Sequence, residues 1–252
     1  MSDPILVTVA DRIMEIRLNR PEKRNALTAA MYAAIADALD RAVADDQVRA
    51  VLVLGSEGHF TAGNDLADFQ KPGALDPDGP VVRFLRALVA FPKVLIAGVQ
   101  GSAVGIGTTM LFHCDLVVAG RGTRFAMPFV DLGLVPEAAS SLLVPALIGR
   151  QRAAKHLLLC DPFGADTALA YGIATEVVDD GEVETAARAL ALRIAAKAPT
   201  AVRQTKQLII GDVAAIERRV EEEAALFAER LISPEIAEAI AAFYEKRPPR
   251  FE

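Results

Sequence analysis

The 252 residues contain no tryptophan, two cysteines and three histidines. Cys114 and Cys160 stand in neither a CxxC nor a mixed Cys/His pattern, so the sequence predicts neither a zinc site nor a disulfide framework. His59, His113 and His156 share no spacing with one another or with a nucleophile, and we interpret each as structural. The scarcity of thiols and imidazoles therefore argues against metal-dependent and cysteine-based chemistry.

Long runs of basic residues and of apolar residues are also missing. The net charge is -6 and no basic block occurs, which is not the pattern of a nucleic-acid-binding protein. No apolar run reaches the roughly 18 residues that a membrane-spanning helix requires, so no membrane span is expected. Residues 1–4 lack a positive region followed by an apolar stretch, so we expect no secretory signal. The simplest interpretation is a cytoplasmic protein.

Apolar residues make up 52% of the chain, enough to build a sizeable core. Alternation over 5–10 and 13–18 predicts a β-hairpin, and Thr28 is a plausible N-cap for a helix that reaches Ala44. Short continuous apolar runs predict buried strands. They cover 50–54, 94–99 and 115–119, with a last short strand at 176–178.

Helical patterns follow these strands and dominate the second half of the chain. They cover 81–90, 104–112, 140–148, 152–159 and 165–171, and everything from 183 onward with breaks near Pro199, Gly211 and Pro234. Alternating strands and helices predict an α/β fold, followed by a helical C-terminal region. We divide it into a core, 1–198, and a C-terminal helical region, 199–252.

Two of the predicted strands end in glycine-rich turns, at 55–66 and at 99–108. Glycine permits positive φ angles and lets the backbone approach a ligand closely. The second turn leads directly into a predicted helix, whose first N–H groups are unpaired and carry partial positive charge. Such a place suits an oxygen that becomes anionic during a reaction, although each turn taken alone is also explained as a tight turn.

Together these segments resemble the crotonase superfamily, also called the enoyl-CoA hydratase/isomerase family. The resemblance extends over nearly the whole chain, in four motifs in the expected order. They lie at 18–27, 60–66, 101–107 and 243–247. It implies a crotonase-like ββα superhelical core, an acyl-CoA thioester as substrate, no cofactor and no metal, and a homotrimer or a dimer of trimers formed through residues 199–252.

The resemblance also implies residue roles. The backbone N–H groups of Asn64 and Ile106 would form the oxyanion hole. The matching CoA-binding positions are Lys23, Arg24, Ala26, Ala62, Asp65, Leu66, Gly105, Phe243 and Lys246. From the residues alone, Lys23 and Lys246 are equally well explained as solvated surface lysines, and Asp65 as an anchor of its own loop.

The acidic residues distinguish among the reactions of this family. Hydratases place one glutamate where this chain has Thr109 and a second where it has Phe129, and neither side chain exchanges protons near pH 7. Glu137 instead lies among small apolar residues, at a position that matches the catalytic base of the peroxisomal-type Δ3,Δ2-enoyl-CoA isomerases. A carboxyl in an apolar pocket has a raised pKa and can act as base and then as acid.

Alternatives remain open at this point. Glu137 could simply stand in the first turn of a helix that begins near Ala138. The chain could also be another crotonase-type enzyme, such as a hydratase-like, acyl-CoA-hydrolysing or ring-modifying one, or a non-catalytic acyl-CoA-binding homologue. The expected activity is transfer of a C3 double bond to C2 of an enoyl-CoA, with Glu137 as the proton shuttle.

Overall fold

The structure is a computed structural model that describes residues 3–65, 67, 76 and 79–251, without the side chain of Phe243. Nine strands lie in the described residues. They are β1 (Ile5–Ala10), β2 (Ile13–Leu18), β3 (Ala50–Leu54), β4 (Val94–Val99), β5 (Ser102–Val104), β6 (Leu116–Gly120), β7 (Arg124–Ala126), β8 (Phe163–Gly164) and β9 (Glu176–Val178).

The described residues also form ten α-helices, most of them after residue 139. They are α1 (Ala29–Ala44), α2 (Pro80–Val89), α3 (Ile106–Thr109), α4 (Ser140–Ile148), α5 (Arg150–Leu157), α6 (Ala165–Ala170), α7 (Val183–Ala195), α8 (Pro199–Ile210), α9 (Val213–Leu231) and α10 (Pro234–Glu245). No helix among the described residues is long and apolar enough to cross a membrane.

The main sheet has six strands in the order β1-β2-β3-β4-β6-β9. The β1–β2 hairpin is antiparallel, and every other neighbouring pair is parallel. β3 and β4 are buried along their whole length because α7 packs on one face while α1 and α2 belong to the core on the other. Burial on both faces explains why these strands are continuous apolar runs rather than alternating ones.

A second, smaller sheet has the order β5-β7-β8 and lies next to the glycine-rich turns. Isolated bridges join Thr61 to Ala103 and Leu27 to Asn64, which ties the chain segments around 27, 61–64 and 103 together. The main-sheet strands thus deliver their C-terminal turns to one place, which is where open α/β folds bind ligands.

The predicted α/β class is confirmed, and so are the hairpin, the main strands and the C-terminal helices with their three breaks. Thr28 caps α1, since its side chain accepts the N–H of Met31. The predicted helix over 104–112 was wrong in part. Val104 ends a strand, Gly105 with φ +56° separates it from α3, and a 3-10 turn continues from Met110 to His113.

β5, β7 and β8 were not predicted, because strands of two or three residues are too short to show an alternating pattern. The division at residue 198 falls where α8 begins at Pro199, and it stays a prediction.

Candidate active site

The loop from Phe60 to Asp65 is held rigidly between neighbouring segments. The Thr61 N–H donates to Ser102 O at 2.9 Å, Thr61 O accepts the Val104 N–H at 3.1 Å, and the Thr61 hydroxyl donates to Asn25 O at 2.7 Å. Gly63 has φ +91°, and a Cβ there would lie 2.8 Å from Val104 O. The two glycine-rich turns therefore touch at a point where only glycine fits without strain.

The amide of Asn64 points away from its neighbouring strand. Leu27 donates to Gly63 O at 2.8 Å and accepts the Asp65 N–H at 2.9 Å, so the Leu27 backbone bonds the residues on both sides of Asn64. In a parallel pairing the intervening residue directs its N–H to the opposite side. Within the described part of the chain, the Asn64 N–H donates no hydrogen bond.

The amide of Ile106 is the first of helix α3. Gly105 O accepts the N–H groups of Thr108 and Thr109 at 2.8 and 2.9 Å, which leaves the Ile106 N–H at the open N-terminus without an acceptor among the described residues. Gly105, like Asn64, lines the cavity that is described next. Both N–H groups therefore lack an acceptor among the described residues, and their role as an oxyanion hole stays a prediction.

A cavity of about 570 Å³ opens in front of these turns. That volume is within the usual range for small-molecule sites. Its walls are largely apolar and combine the two turns with side chains from α9 and α10. The lining includes Ala62, Gly63, Asn64, Val104, Gly105, Pro128, Phe129, Asp131, Leu134, Phe227, Leu231, Ile236 and Ile240.

A second, small cavity of about 20 Å³ contains Glu137. Asn64 and Phe227 line both cavities, so the cavity that Glu137 lines adjoins the one in front of the glycine-rich turns. The remaining walls of the small cavity are apolar. They are Val81, Val82, Leu85, Ala138, Val220 and Ala224.

Glu137 is only 8% exposed, and its surroundings control its protonation. Burial raises the pKa of its carboxyl from 4.5 to about 8, and the negative charge of Glu223 adds to the rise. The Thr109 hydroxyl opposes this effect by donating a hydrogen bond to Oε1. The carboxyl is thus poised to exchange a proton near neutral pH, as general acid–base catalysis requires.

The backbone after Glu137 has an unusual conformation. Ala138 and Ala139 are both left-handed, with φ +58° and +55°, which costs on the order of 1–2 kcal/mol per residue. Ser140 bonds to Glu137 O through its N–H at 3.1 Å and its hydroxyl at 2.6 Å. His113 Nε2 lies 2.8 Å from Ala138 O. Burial lowers the His113 pKa to about 4, so the neutral ring donates from Nε2.

The geometry does not support the alternative in which Glu137 belongs to the first turn of a helix beginning near Ala138. Helix α4 begins at Ser140, and Ala139 is its N-cap. The Glu137 side chain is directed to Thr109 and the small cavity.

Thr109 and Phe129, at the positions of the hydratase acids, are both buried, and Phe129 forms part of the larger cavity's wall. Asp131 also lines that cavity, but it is exposed to solvent. Glu137 is therefore the buried carboxylate among the described residues of the two cavities. Neither position that carries a glutamate in the hydratases carries a carboxylate in this chain.

Tyr32 was not predicted as a site residue. It lies in α1, is fully buried, and donates its hydroxyl to Asn64 Oδ1. Burial and the nearby charge of Glu137 raise its pKa well above 10, so it remains a neutral donor. Nothing in the sequence separates this tyrosine from a core aromatic residue, because its partner Asn64 is 32 residues away.

The predicted CoA-binding positions divide into two groups. Ala62 and Gly105 line the large cavity, and the Ala62 N–H donates to Arg24 O at 2.9 Å. Lys23 and Arg24 are exposed close to this bond, and Ala26 is half-buried. This group lies next to the cavity, and its role in binding CoA stays a prediction.

In the second group, the Asp65 carboxylate is 2.7 Å from Arg20 and also accepts the Ala67 N–H, so it anchors its own loop. Lys246 is exposed just beyond α10 and is not part of the large cavity's lining. Leu66 and the Phe243 side chain lie outside the described residues. No group of three or more potential metal ligands occurs in the described part of the chain.

Comparisons with known proteins identify the family and the fold. The family model for enoyl-CoA hydratase/isomerase matches residues 8–252, and the chain belongs to that family. Its fold is the crotonase fold. An enoyl-CoA hydratase/isomerase structure from Pseudoalteromonas atlantica T6c superimposes with a TM-score of 0.96 at 41% identity, covering 99% of this chain and 100% of that one.

Relatives differ in the reaction that they are named for. The chain is 33% identical to the 1,2-epoxyphenylacetyl-CoA isomerase of Escherichia coli K12, over 100% of this chain and 99% of the relative. It is 36% identical to enoyl-CoA delta isomerase 2 of Rattus norvegicus, over 98% of this chain and 65% of the relative. Relatives with hydratase names occur in the same range of identity. Identity alone therefore establishes a crotonase-family acyl-CoA enzyme and not its reaction.

Proposed function

We propose that this protein is an enoyl-CoA isomerase that moves a double bond from C3 to C2 of an acyl-CoA thioester. The observation that carries the proposal is Glu137, a buried carboxyl with a pKa near 8 that shares its surroundings with the oxyanion-hole residue Asn64. A group with this pKa can take up a proton in one step and release it in the next.

In the first step, Glu137 removes a proton from C2, and the electrons of the C–H bond move toward the thioester oxygen to give a dienolate. The N–H groups of Asn64 and Ile106 stabilise that oxygen, each by about 2.7–4 kcal/mol if they resemble other oxyanion-hole donors. In the second step, the dienolate takes the proton from Glu137 at C4, and the double bond forms between C2 and C3. The reaction needs no oxidant, reductant or metal.

The apolar walls around Glu137 support the same proposal. A small cavity with largely apolar walls limits the access of water to the carboxyl, and it favours the neutral acid between the two steps. Thr109 and Phe129, which cannot activate water, argue against a hydratase.

The proposal extends to the acyl chain of the substrate beyond the reacting carbons. A cavity of about 690 Å³ between α2 and α9 shares Val82, Val220 and Ala224 with the small cavity. We propose that an acyl chain that extends beyond the reacting carbons passes these three side chains and enters this cavity.

A second candidate is isomerisation of a ring-bearing CoA thioester. It is favoured by the full-length similarity to a relative named 1,2-epoxyphenylacetyl-CoA isomerase. The same carboxyl and oxyanion hole would serve either substrate, so the distinction requires both substrates to be assayed.

The direct test incubates the purified protein with a 3-enoyl-CoA and follows the ultraviolet absorbance of the conjugated 2-enoyl thioester. Parallel reactions contain crotonyl-CoA, to detect hydration, and 1,2-epoxyphenylacetyl-CoA. Glu137→Gln should lose turnover and retain binding of crotonyl-CoA, while Glu229→Gln, an exposed residue of α9, should behave as the wild type. Rapid hydration of crotonyl-CoA, or an active Glu137→Gln variant, would refute the proposal.

We also propose a homotrimer or a dimer of trimers. The support is the exposure of large apolar side chains on and beside the C-terminal helices, with Leu208 84%, Ile209 77% and Ile232 88% exposed. Sedimentation velocity provides the test, because a monomer at micromolar concentration would contradict the proposal.

A further inference from the structure

Glu223 of α9 is a second buried carboxylate close to Glu137. It is 4% exposed, and its Oε1 accepts the N–H of Ser141 at 2.8 Å. Its other oxygen, Oε2, is buried and has no hydrogen-bond partner among the described residues. Burying a carboxylate with one oxygen unsatisfied is unfavourable, so the position calls for an explanation beyond packing.

Glu223 occupies the place of a helix cap for α4. The N-cap residue of α4, Ala139, has no side chain that can accept a hydrogen bond. The Ser141 N–H, in the first turn, is satisfied by Glu223, while the Ser140 N–H is satisfied by Glu137 O at 3.1 Å. The backbone that carries Glu137 and the carboxylate of Glu223 therefore hold the same helical turn from two sides.

The charged and titratable groups around this turn come from four elements. Tyr32 comes from α1 and His113 from the 3-10 turn, and both are neutral near pH 7. Arg219 of α9 donates to the Ser141 hydroxyl at 3.0 Å. Arg86 of α2 lines the neighbouring cavity and has an interaction of its own. Among the described residues, Glu223 is the carboxyl whose ionised form raises the pKa of Glu137.

The charge of Glu223 disfavours ionisation of Glu137, in the same direction as burial. Burial raises the pKa of Glu223 as well, while the Ser141 hydroxyl, the backbone N–H groups of Ser141 and Ala139, and the charge of Arg219 favour its charged form. An uncharged cap, such as serine or asparagine, would serve α4 as well without this electrostatic effect.

We propose that Glu223 is a positioning residue for Glu137. It fixes the first turn of α4 directly behind the Glu137 loop, and its negative charge makes Glu137 more ready to hold a proton between the two transfers. The catalytic use of that proton rests on the proposed function, whereas the coupling between the two carboxyls does not.

The test is a ¹³C NMR titration of the Glu137 carboxyl carbon, assigned by its absence in Glu137→Gln. Glu223→Gln keeps an oxygen that accepts the Ser141 N–H and removes the charge. The Glu137 midpoint should fall by on the order of half a pH unit in this variant, and the acid limb of kcat/KM should move with it. Glu229→Gln makes the same charge change at an exposed position of α9 and should leave the midpoint unchanged.

A midpoint in Glu223→Gln that equals the wild-type value, or that rises, overturns the inference. If Glu223→Gln does not fold, Glu223→Asn removes the same charge and decides, because a Glu137 midpoint that does not fall in that variant contradicts the coupling. A shifted midpoint in a protein without isomerase activity would refute the proposed function alone. Isomerase activity together with an unchanged Glu137 midpoint in Glu223→Gln would refute only the role of Glu223.

Discussion

The hydrogen bond from Thr109 to Glu137 provides a prediction whose size can be worked out. Thr109→Val removes a hydroxyl that favours the ionised carboxylate and retains nearly the same shape. A hydrogen bond to a charged group contributes about 1.5–3 kcal/mol, which corresponds to about 1–2 pKa units. The Glu137 pKa should therefore rise from about 8 in the wild type. Because the base must be ionised to remove the C2 proton, activity at pH 7 should fall about 10- to 100-fold.

The assay is the pH profile of kcat/KM for a 3-enoyl-CoA. Its acid limb should move to higher pH in Thr109→Val, and much of the activity should return as the pH is raised. Thr109→Ser retains a hydroxyl and serves as the matched control, with a profile close to that of the wild type. An unchanged acid limb in Thr109→Val, or a loss of activity equal at every pH, would show that Thr109 does not tune Glu137.

Three further predictions concern stability and specificity. The folded-state pKa of Glu137 is raised, so its contribution to stability is complete below about pH 4.5 and is lost as the pH rises toward 8. The free energy of unfolding of Glu137→Gln, measured with urea, should therefore rise relative to that of the wild type by up to about 3 kcal/mol between low pH and pH 7. An unfolding free energy that depends on pH equally in both proteins would contradict this. Tyr32→Phe leaves Asn64 Oδ1 without its donor, so it should cost about 1–2 kcal/mol of stability and lower kcat/KM. Unchanged stability and activity in this variant would show that the hydrogen bond contributes to neither. Ala224→Leu should lower kcat/KM for long-chain more than for short-chain 3-enoyl-CoA, and equal losses would argue against the proposed tail route.

The sequence predicted those parts of the fold that have a local signal. The continuous apolar runs of β3 and β4 report burial on two faces, and Pro199, Gly211 and Pro234 mark helix ends. The three-residue strands β5 and β7 have no such signal, because their pairing is decided by the segments on either side.

The same distinction applies to the site. The glycine-rich turns and the small apolar residues around Glu137 were recognisable, because close backbone approach and burial leave a compositional trace. Tyr32, Thr109 and Glu223 join the site through contacts that span 28 or more residues of chain, and a buried tyrosine, threonine or glutamate has no local pattern that reveals its partner.

The central claim is that Glu137 carries a proton from C2 to C4, and isotope transfer tests it most directly. A 3-enoyl-CoA deuterated at C2 is converted in a single turnover, and the product is analysed by NMR for deuterium at C4. A measurable share of the wild-type product should carry deuterium at C4, and Glu137→Gln should form no product. Product without deuterium at C4, formed equally by both proteins, would contradict it.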